Sequence, residues 1–511
     1  MGAVALLVTG LVLIVGMRLV RPYVQDWRQR QSSDARSTKG KIRIGIDNWV
    51  GYVPLCSTEM KKTLRRAGWL LQCQDDQANY DQRMRRLSQG ELDFAVATVD
   101  SYLLNGAAHA FPGVVVAVLD ESKGGDAIVA HQDRVPNLEA VKGRADLRIA
   151  LTPNSPSHHL AKAAADHFDA PELLPSDQRR LATDGSEAAL KRLLDGEADV
   201  AVLWEPDVSK ALANPEIVKL LGTEDTAHLI VDILLVNRDF SQAQPETVEL
   251  LLSAYFKVLK QYRDTPETLR RELTRATQLG DSAVQAMLGG VAWVNLTDNC
   301  QRWFGVQALP NRADEGLIDT IEATQRILAH HGAALALPDD DPYRLLRSEF
   351  VADLCDAGGF QLAKGSDRPI RNALEAPFSA LDDQGWQSLR EVGSLKIAPV
   401  VFQSGSDVLN LLEKHKLDAA VNRLKHYPNF RIVVKGHTGL RGDPQANQRL
   451  SQDRAESVTR YLTTTHAIHP HRMRPEGWGS TAPLARLAGE SNRAYQARLP
   501  RVELLLVADV Y

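Results

Sequence analysis

The sequence predicts a two-lobed α/β domain followed by a smaller α+β domain. From residue 41 to about residue 355, short apolar strands alternate with helical segments, which is typical of parallel sheets covered by helices. A phrase recurs there, as Leu87-Ser-Gln-Gly-Glu-Leu-Asp93 and as Leu194-Asp-Gly-Glu-Ala-Asp199. Each copy places a helix end, a glycine and a strand in succession. The repeat therefore predicts two lobes of similar build with a ligand cleft between them, and a β-branched strand leading to a long helix near residue 440 marks the second domain.

Composition and charge set limits on the function. The chain has 511 residues, of which 44% are hydrophobic and 24% charged, as in ordinary globular proteins. A net charge of −4 without a basic block argues against a nucleic-acid partner. The four cysteines, Cys56, Cys73, Cys300 and Cys355, lack paired C-x-x-C spacing, so we predict no metal site and no cofactor. They allow three disulfide pairings, among which the sequence does not choose, and we expect at least two free thiols.

The N-terminus carries one apolar segment. Residues 2–20 are nearly all apolar, interrupted by Arg18, and no small-residue cleavage site follows them. This length is adequate for one membrane helix, so we predict a transmembrane signal anchor over residues 1–21 and a polar linker over residues 22–40.

Polar and aromatic residues follow the predicted strands of both lobes. Residues 41–122 with 232–355 form the first predicted lobe, and residues 127–228 form the second. In parallel sheets, ligands bind at the carboxyl ends of strands. Strands ending near residues 47 and 97 bring Asp47-Asn48-Trp49 and Thr98-Val99-Asp100 to one rim.

Four segments in this region carry a family resemblance. Asn48-Trp49-Val50-Gly51-Tyr52, Gly124-Gly125-Asp126, Ser155-Pro-Ser157 and Trp204-Glu205-Pro206 occur in order and at suitable intervals. Together they resemble the type II periplasmic substrate-binding proteins of the nitrate, sulfonate and taurine group. The resemblance implies hinged closure on a small, often anionic solute and partnership with an ABC transporter permease. By position, the residues that it places around the cleft are Asn48, Trp49, Thr98, Gly125, Ser155, Ser157, Trp204 and Glu205.

The identity of the solute stays open at this level. Ser155 and Ser157 either present helix amides to an anion or only cap the helix. Trp204 is equally consistent with a core position. Glu205, Asp207 and Asp232 would repel a simple anion, so zwitterionic and cation-bearing solutes stand beside anionic ones. No G-x-S-x-G, H-E-x-x-H or Walker loop occurs, and we predict no enzymatic activity.

The C-terminal segment, predicted to begin near residue 386 after a linker over 356–385, has a second signature. It reads Gly436-His437-Thr438-Gly439, then Gly442, then Asn447-Gln-Arg-Leu450-Ser451-Gln-Asp-Arg454-Ala455. Asn447, Ser451 and Arg454 recur at helical spacing, so they share one face. We predict strands at Ile397–Phe402 and Phe430–Val434 and helices at 409–424 and 445–462. With Gly477-Trp478-Gly479 and Arg501-Val502-Glu503, the pattern resembles the OmpA-like peptidoglycan-binding domain.

The OmpA-like resemblance implies a peptidoglycan site with one altered position. In that family an Asp after His-Thr accepts the ammonium group of the wall peptide, and the helix Arg holds its carboxylate. Here Gly439 occupies the Asp position and Arg454 the Arg position. Asp443 either reaches in from the loop or starts a turn before Pro444, and His437 and Thr438 are either ligand-binding or structural. The predicted peptidoglycan-binding residues are His437, Thr438, Gly439, Asn447, Arg454 and Arg501.

The two resemblances favour one location and one function. Arg18, Arg21, Arg28 and Arg30 follow the apolar run, and the positive-inside rule would place the rest of the chain in the cytoplasm. The domains favour the opposite side, so we predict a single-pass inner-membrane protein with its bulk in the periplasm. We predict a membrane-anchored solute-binding protein of ABC-transporter type that contacts peptidoglycan. The alternative is an envelope structural or assembly factor whose binding-protein domain is non-binding or sensory.

Overall fold

The computed structural model describes residues 38–176, 178–307, 316–333, 335–357, 378–403 and 405–508. The predicted membrane anchor at residues 1–21 lies outside these ranges, as does the predicted linker apart from its last residues. Within the described ranges, no helix is long and apolar enough to cross a membrane.

The first lobe is built on a six-stranded sheet. Its strands are β1 (Gly40–Ile46), β2 (Trp69–Asp75), β3 (Phe94–Thr98), β4 (Gly113–Ser122), β10 (Val231–Asn237) and β11 (Val291–Trp293). They lie in the order β11-β4-β10-β3-β1-β2, with β1 parallel to β2 and β3 and with β10 antiparallel to both of its neighbours. Strand β10 reaches this sheet only after the chain has traversed the second lobe.

The second lobe repeats this plan on a five-stranded sheet. Its strands are β5 (Asp126–His131), β6 (Ile149–Leu151), β7 (Arg180–Ala182), β8 (Val200–Trp204) and β9 (Ile217–Gly222). They lie in the order β7-β6-β8-β5-β9, with β5 antiparallel to β8 and β9. The chain crosses between the lobes twice, at residues 122–126 and 222–231. The two predicted lobes, with a returning strand in the first, are therefore present.

Local sequence explains where these elements begin. Strand β3 up to Ala97 and strand β4 up to Leu119 are continuous apolar runs because both faces of their sheet are covered, and every residue of both strands is buried. Helices start at side chains that accept backbone N–H groups. Asn79 accepts from the N–H of Gln82, and Thr98 forms a reciprocal capping box with Ser101. Thr98 thus ends β3 and starts a helix at the same residue.

Helices cover both sheets and fill the region after β10. In the binding region they span Val53–Cys56, Thr58–Arg66, Tyr80–Ser88, Val99–Ala107, Pro156–Phe168, Ser186–Leu194, Asp207–Leu212, Arg238–Ala243, Pro245–Asp264, Pro266–Thr277, Asp281–Gly289, Leu296–Asp298, Gly316–His330 and Glu349–Asp356.

The C-terminal domain is a four-stranded sheet packed against helices. Its strands are β12 (Arg390–Leu395), β13 (Arg431–Gly436), β14 (Met473–Gly477) and β15 (Val502–Ala508), in the order β12-β15-β13-β14. Its helices are Asp383–Gln387, Leu411–Leu424, Pro444–His466 and Asn492–Arg498. The predicted strand Ile397–Phe402 is wrong, because the strand lies earlier, at β12. Pro399 interrupts the later segment, whose Val400 and Phe402 are buried without strand pairing.

The C-terminal domain and the second lobe share one hydrophobic core. The Tyr427 ring packs edge-on against Phe168 at 5.2 Å between centroids, and its hydroxyl shares a 2.7 Å hydrogen bond with Nδ1 of His167. The backbone N–H of Lys396 donates to the carbonyl of His167 at 2.6 Å. Burial lowers the pKa of His167 to about 3, so its ring is neutral at the junction. The second lobe therefore continues into the C-terminal domain without a hydrophobic break.

Both pairs of cysteines are oxidised, so the expectation of at least two free thiols is wrong. Cys56 and Cys73 bridge the helix Val53–Cys56 to β2, with 6.2 Å between their Cα atoms. Cys300 and Cys355 bridge the π-helix Asn299–Trp303 to the helix Glu349–Asp356, with 6.5 Å between Cα atoms. No free cysteine remains. The pairing of Cys300 with Cys355 could not be predicted from the sequence, because the two residues are 55 positions apart.

Thiol titration and reduction test the two disulfides. Thiol titration of the denatured, unreduced protein should detect no free thiol group. Cys355→Ser combined with Cys300→Ser should lower the free energy of unfolding by about 2–5 kcal/mol, because the unfolded chain loses a cross-link. Chemical denaturation of the oxidised protein and the double variant measures this difference. Two or more thiols per chain in the unreduced wild type would contradict the pairing.

Candidate functional site

The two lobes enclose a small cleft between the ends of their strands. Asp47 follows β1, Thr98 ends β3, Trp204 ends β8, and Asp126 and Asp232 lie at the starts of β5 and β10. The cavity that they share has a volume of about 10 Å³, which is room for about one water molecule. Its lining residues are Asp47, Trp49, Tyr52, Tyr80, Thr98, Asp126, Pro156, Trp204, Ile230 and Asp232.

Three of the eight predicted cleft residues line this cavity, namely Trp49, Thr98 and Trp204. The indole N–H of Trp49 donates to Oδ1 of Asp120 at 3.1 Å. The indole N–H of Trp204 donates to Oδ1 of Asn48 at 3.0 Å. Asn48 is itself exposed, and this bond joins the first lobe to the second. Trp204 is buried and also lines the cavity. The core position and the cleft position, which the sequence left as alternatives, therefore apply to the same residue.

Gly125 supports the cleft through its missing side chain. A Cβ atom at this position would lie 2.3 Å from the Trp49 ring and 2.9 Å from the carbonyl oxygen of Gly290. Both distances are shorter than real carbon contacts, so any larger residue would displace the indole. Gly125 therefore contributes the space that Trp49 occupies.

Ser155, Ser157 and Glu205 surround the cleft without lining it. Ser155 occupies the N-cap position of its helix, but its hydroxyl donates to the carbonyl of Thr152 at 2.6 Å. The Ser157 hydroxyl is buried and has no hydrogen-bond partner within the described residues. Glu205 accepts from the backbone N–H of Ser209 at 3.0 Å and from its hydroxyl at 2.7 Å. Glu205 thus caps the next helix turn.

The cleft is acidic. Asp126 is 2% exposed, and its Oδ1 has no hydrogen-bond partner among the described residues. Burial raises the pKa of Asp126 to about 8 and that of Asp120 to about 7. Burial and the neighbouring Asp120 carboxylate also raise the pKa of Asp232, which faces Asp120 across the strand pair β4–β10. The Asp232 carboxylate accepts a hydrogen bond from the Tyr52 hydroxyl.

A buried arginine neutralises one side of this cluster. Arg83 is fully buried, and its guanidinium lies 3.0 Å from Oδ2 of Asp47 and forms a second ion pair with Asp76. It also donates to the carbonyl of Val96 at 2.9 Å. Asp47 therefore has a positive partner, whereas Asp126 and Asp232 have no ion pair among the described residues.

Five cavity-lining residues were not predicted from the sequence: Tyr52, Tyr80, Asp126, Pro156 and Ile230. Tyr52, Asp126 and Pro156 lie inside the segments that carry the family resemblance, so those segments held a signal for them. The sequence placed Asp47 at the rim and named Asp232 as an acid that would repel an anion, but assigned neither to the site. Nothing in the sequence indicates that Tyr80 lines the cavity, because its pattern is that of the first apolar residue of an amphipathic helix.

The second predicted site lies where β13 leads into the helix Pro444–His466. Gly436 ends the strand, where an added Cβ atom would lie 2.0 Å from the carbonyl oxygen of Ser451. The His437 ring and the Thr438 hydroxyl are buried. Nε2 of His437 lies 3.6 Å from Oε2 of Glu503, and the Thr438 hydroxyl has no hydrogen-bond partner within the described residues. Asp443 caps the helix by accepting from the N–H of Ala446 at 2.8 Å. It therefore does not substitute for the missing Asp at position 439.

The two arginines of the predicted wall site contact the domain itself. Arg454 is 3% exposed and donates to the carbonyls of Ser406 at 3.0 Å and Gln403 at 3.2 Å. Its guanidinium also lies over the Phe402 ring at 5.1 Å. Arg501 forms an ion pair with Glu503 at 2.7 Å. Arg454 thus holds the loop before the helix Leu411–Leu424.

Two further predicted wall residues lie at the loop surface. Asn447 donates to the carbonyl of Arg441 at 3.1 Å, so its amide closes the loop that contains Gly442. A Cβ atom added at Gly439 would meet only Oε1 of Gln496, at 3.7 Å. Position 439 therefore has room for a side chain, and the glycine is not required by packing.

The described architecture is a two-lobed α/β domain joined to a smaller α+β domain. The model of the OmpA family matches residues 401–497, which identifies the C-terminal domain. The chain is 35% identical over 107 residues to the probable lipoprotein YiaD of Escherichia coli K12, covering 21% of this chain and 47% of that protein. It is 28% identical over 86 residues to the peptidoglycan-associated lipoprotein of Brucella melitensis, covering 17% of this chain and 51% of that protein. The chain thus spans about half the length of these relatives.

Solved structures are similar over the N-terminal region. The periplasmic aliphatic sulphonate-binding protein SsuA from Escherichia coli aligns with 60% of this chain and 99% of its own, at 15% identity and a TM-score of 0.45. SsuA from Xanthomonas axonopodis, bound to MOPS, aligns with 62% of this chain and 98% of its own, at 16% identity and a TM-score of 0.45.

The buried carboxylate of Asp126 predicts a pH-dependent stability. Its folded pKa is raised from 3.8 to about 8, so the folded state holds the proton more tightly between these values. Its contribution to the free energy of unfolding is therefore complete below pH 4 and is lost as pH rises to 8. Asp126→Asn should remove this loss and be more stable than wild type at pH 8 by roughly 1–3 kcal/mol.

Urea denaturation at pH values from 5 to 8.5 measures this difference. The charged groups facing Asp126 are Asp100, Asp120, Asp232 and Glu205, and they remain in the variant. Asp133→Asn, at an exposed position, is the matched control and should follow wild type. If the free energies of unfolding of wild type and Asp126→Asn change with pH in parallel, Asp126 is already ionised in the folded state across this pH range, which would contradict the raised pKa.

Proposed function

We propose that this protein is a membrane-anchored periplasmic solute-binding protein of ABC-transporter type whose C-terminal domain contacts peptidoglycan. The observation that carries the proposal is the shared core between the second lobe and the C-terminal domain. Phe168, Tyr427 and Phe430 belong to this core, so a cleft-bearing lobe and an OmpA domain are packed together as one unit. Such a junction suits a binding domain held at a fixed position in the envelope.

The disulfides support a periplasmic location. Both form between residues of the binding domain, and disulfides persist in oxidising compartments such as the bacterial periplasm. The apolar run at residues 2–20 supplies the proposed anchor in the inner membrane. The basic residues after that run favour the opposite orientation, so topology needs a direct measurement.

An alkaline phosphatase fusion measures the topology. Fusing the enzyme after residue 40 should give an active phosphatase, because the enzyme folds only where disulfides form. A fusion of β-galactosidase at the same residue is the reciprocal control and should be inactive. An inactive phosphatase fusion with an active β-galactosidase fusion would place the domains in the cytoplasm and end the periplasmic proposal.

The wall contact is supported by the OmpA match and by the name of a relative, the peptidoglycan-associated lipoprotein. In this chain the site offers Arg454, the buried ring of His437 beside Glu503, and the Thr438 hydroxyl, which has no hydrogen-bond partner among the described residues. It lacks a carboxylate at position 439. We infer that wall peptide binds here through its carboxylate end more strongly than through its ammonium group.

Restoring the carboxylate should strengthen wall binding. Gly439→Asp should raise the affinity for purified sacculi about tenfold or more, because a charge-assisted hydrogen bond contributes roughly 1.5–3 kcal/mol. The backbone at Gly439 is not in the left-handed region, so aspartate fits without strain. Leu487→Asp, at an exposed position of the same domain, controls for added charge. Co-sedimentation with sacculi measures the affinity.

Arg454→Ala completes the sacculus experiment. It should abolish the co-sedimentation of wild type and of Gly439→Asp alike. Thermal unfolding is needed beside it, because Arg454 also holds the loop at Gln403 and Ser406. Binding that appears only in Gly439→Asp would mean that the native domain has another ligand.

The size of the cleft favours a second candidate, an envelope structural or assembly factor. The cavity holds about one water, and the bond from Trp204 to Asn48 joins the lobes across it. In this candidate the lobes stay closed and the fold serves as a rigid spacer. A thermal-shift screen with anions, amino acids and amines separates the candidates, since the spacer should respond to none of them. Neither candidate includes an enzymatic reaction.

A further inference from the structure

We infer that the cleft between the lobes binds a small organic cation, with the carboxylates of Asp126 and Asp232 receiving its ammonium group beside the Trp49 and Trp204 rings. This inference rests on the proposed solute-binding function and names the chemical class of the solute. It differs from the small, often anionic solute that the family resemblance implied, and it chooses the cation-bearing solute among the alternatives that the acidic residues left open.

The charged side chains of the cavity lining favour a cation. Three carboxylates line it, and none of the described lining residues is a lysine, arginine or histidine. Arg83 neutralises Asp47 from the side of its helix. Asp126 and Asp232 have no positive partner among the described residues. The lining therefore offers no positive charge to an anion, whereas a cation that enters would stabilise the ionised form of both carboxyl groups.

The unpartnered oxygen of Asp126 is an independent observation that points to a ligand. Asp126 lines the cavity, is 2% exposed and leaves Oδ1 without a donor in the described chain. Buried polar atoms in native proteins are nearly always hydrogen-bonded. An ammonium group is a donor of the right charge, and three N–H bonds allow it to satisfy two carboxylates at once.

Aromatic side chains supply the remaining walls. Trp49, Tyr52 and Trp204 line the same cavity, and aromatic rings attract cations through their π faces. The indole N–H groups of Trp49 and Trp204 are already committed to Asp120 and Asn48, so these rings offer π and apolar surface. Tyr80 holds the Arg83 guanidinium against its ring at 4.7 Å, so this ring already packs against a cation.

The same lining favours an organic cation over a metal ion. Within the described part of the chain, no three His, Cys, Asp or Glu side chains converge to hold a metal. Hard cations need six or more oxygen ligands, which a cavity with aromatic walls does not provide. Carboxylates interleaved with aromatic rings instead match an alkylammonium group.

Entry of such a solute requires the lobes to separate. The cavity volume of about 10 Å³ admits little more than the ammonium head itself. Contacts between the lobes hold it closed. They include the hydrogen bonds from Trp204 to Asn48 and from Asn105 to the carbonyl of Asn154 at 3.1 Å, and the contact of His331 with Asp166 at 3.1 Å. Opening would pivot on the two chain crossings at residues 122–126 and 222–231.

The protonation behaviour of the cleft agrees with this assignment. Burial raises the pKa of Asp126 to about 8 and of Asp120 to about 7, since no cation offsets their charge. A bound ammonium group would stabilise both ionised forms.

Thermal-shift and calorimetric titrations of the full chain test the inference. The probes are methylammonium, choline, putrescine and spermidine, with methanesulfonate and sulfate as anions, all at constant ionic strength. At least one amine should raise the melting temperature and bind measurably, and the anions should not. Asp126→Asn should weaken the binding of that amine at least tenfold, whereas Asp133→Asn should bind as wild type does. Asp232→Asn serves as a second variant if Asp126→Asn does not fold.

The outcomes separate this inference from the proposed function. Stabilisation by an anion and not by an amine would overturn the cation assignment and leave the solute-binding function standing. Unchanged amine affinity in both Asp126→Asn and Asp232→Asn would overturn the assignment of the site. No response to any probe would overturn both the cation assignment and the solute-binding function, in favour of the rigid spacer.

Discussion

A single buried guanidinium sets the charge balance of the cleft. Arg83 lies on the helix Tyr80–Ser88 and joins Asp47 after β1, Asp76 after β2 and the carbonyl of Val96 in β3. These contacts hold three strand ends of the first lobe together. Because an unpaired buried charge is costly, Arg83 and its carboxylates depend on one another. The other cleft carboxylates have no such partner, and the acidic character of the site follows from this imbalance.

The junction between domains determines which part of the molecule can move. The second lobe is joined to the C-terminal domain through His167, Phe168 and Tyr427, and through the ion pair of Lys396 with Asp169 at 2.8 Å. If the C-terminal domain is held on the wall, the second lobe is held with it. Opening of the cleft then displaces the first lobe, which continues toward the N-terminus. A solute would in this way change the position of the first lobe relative to the wall.

The sequence predicts the fold better than the site, and the reason is physical. Strand alternation and the repeated helix-glycine-strand phrase are local signals, so a plan of two sheets covered by helices could be predicted from them. Trp49, Thr98 and Trp204 could be placed because strand ends meet at one rim. The missed residues depend on non-local packing: Tyr80 lines the cavity only because its helix packs beside β1 and β3. The junction at Tyr427 and the disulfide of Cys300 likewise join segments that are distant in sequence.

Native mass spectrometry of the full chain, released gently from bacterial envelopes, tests the central claim that this cleft takes an organic cation. We expect the wild type to carry a bound amine, identified by its mass after release. We expect the same protein with Asp126→Asn to carry none. Recovery of an anionic solute from the wild type, or of the same amine from the variant, would contradict the cation assignment.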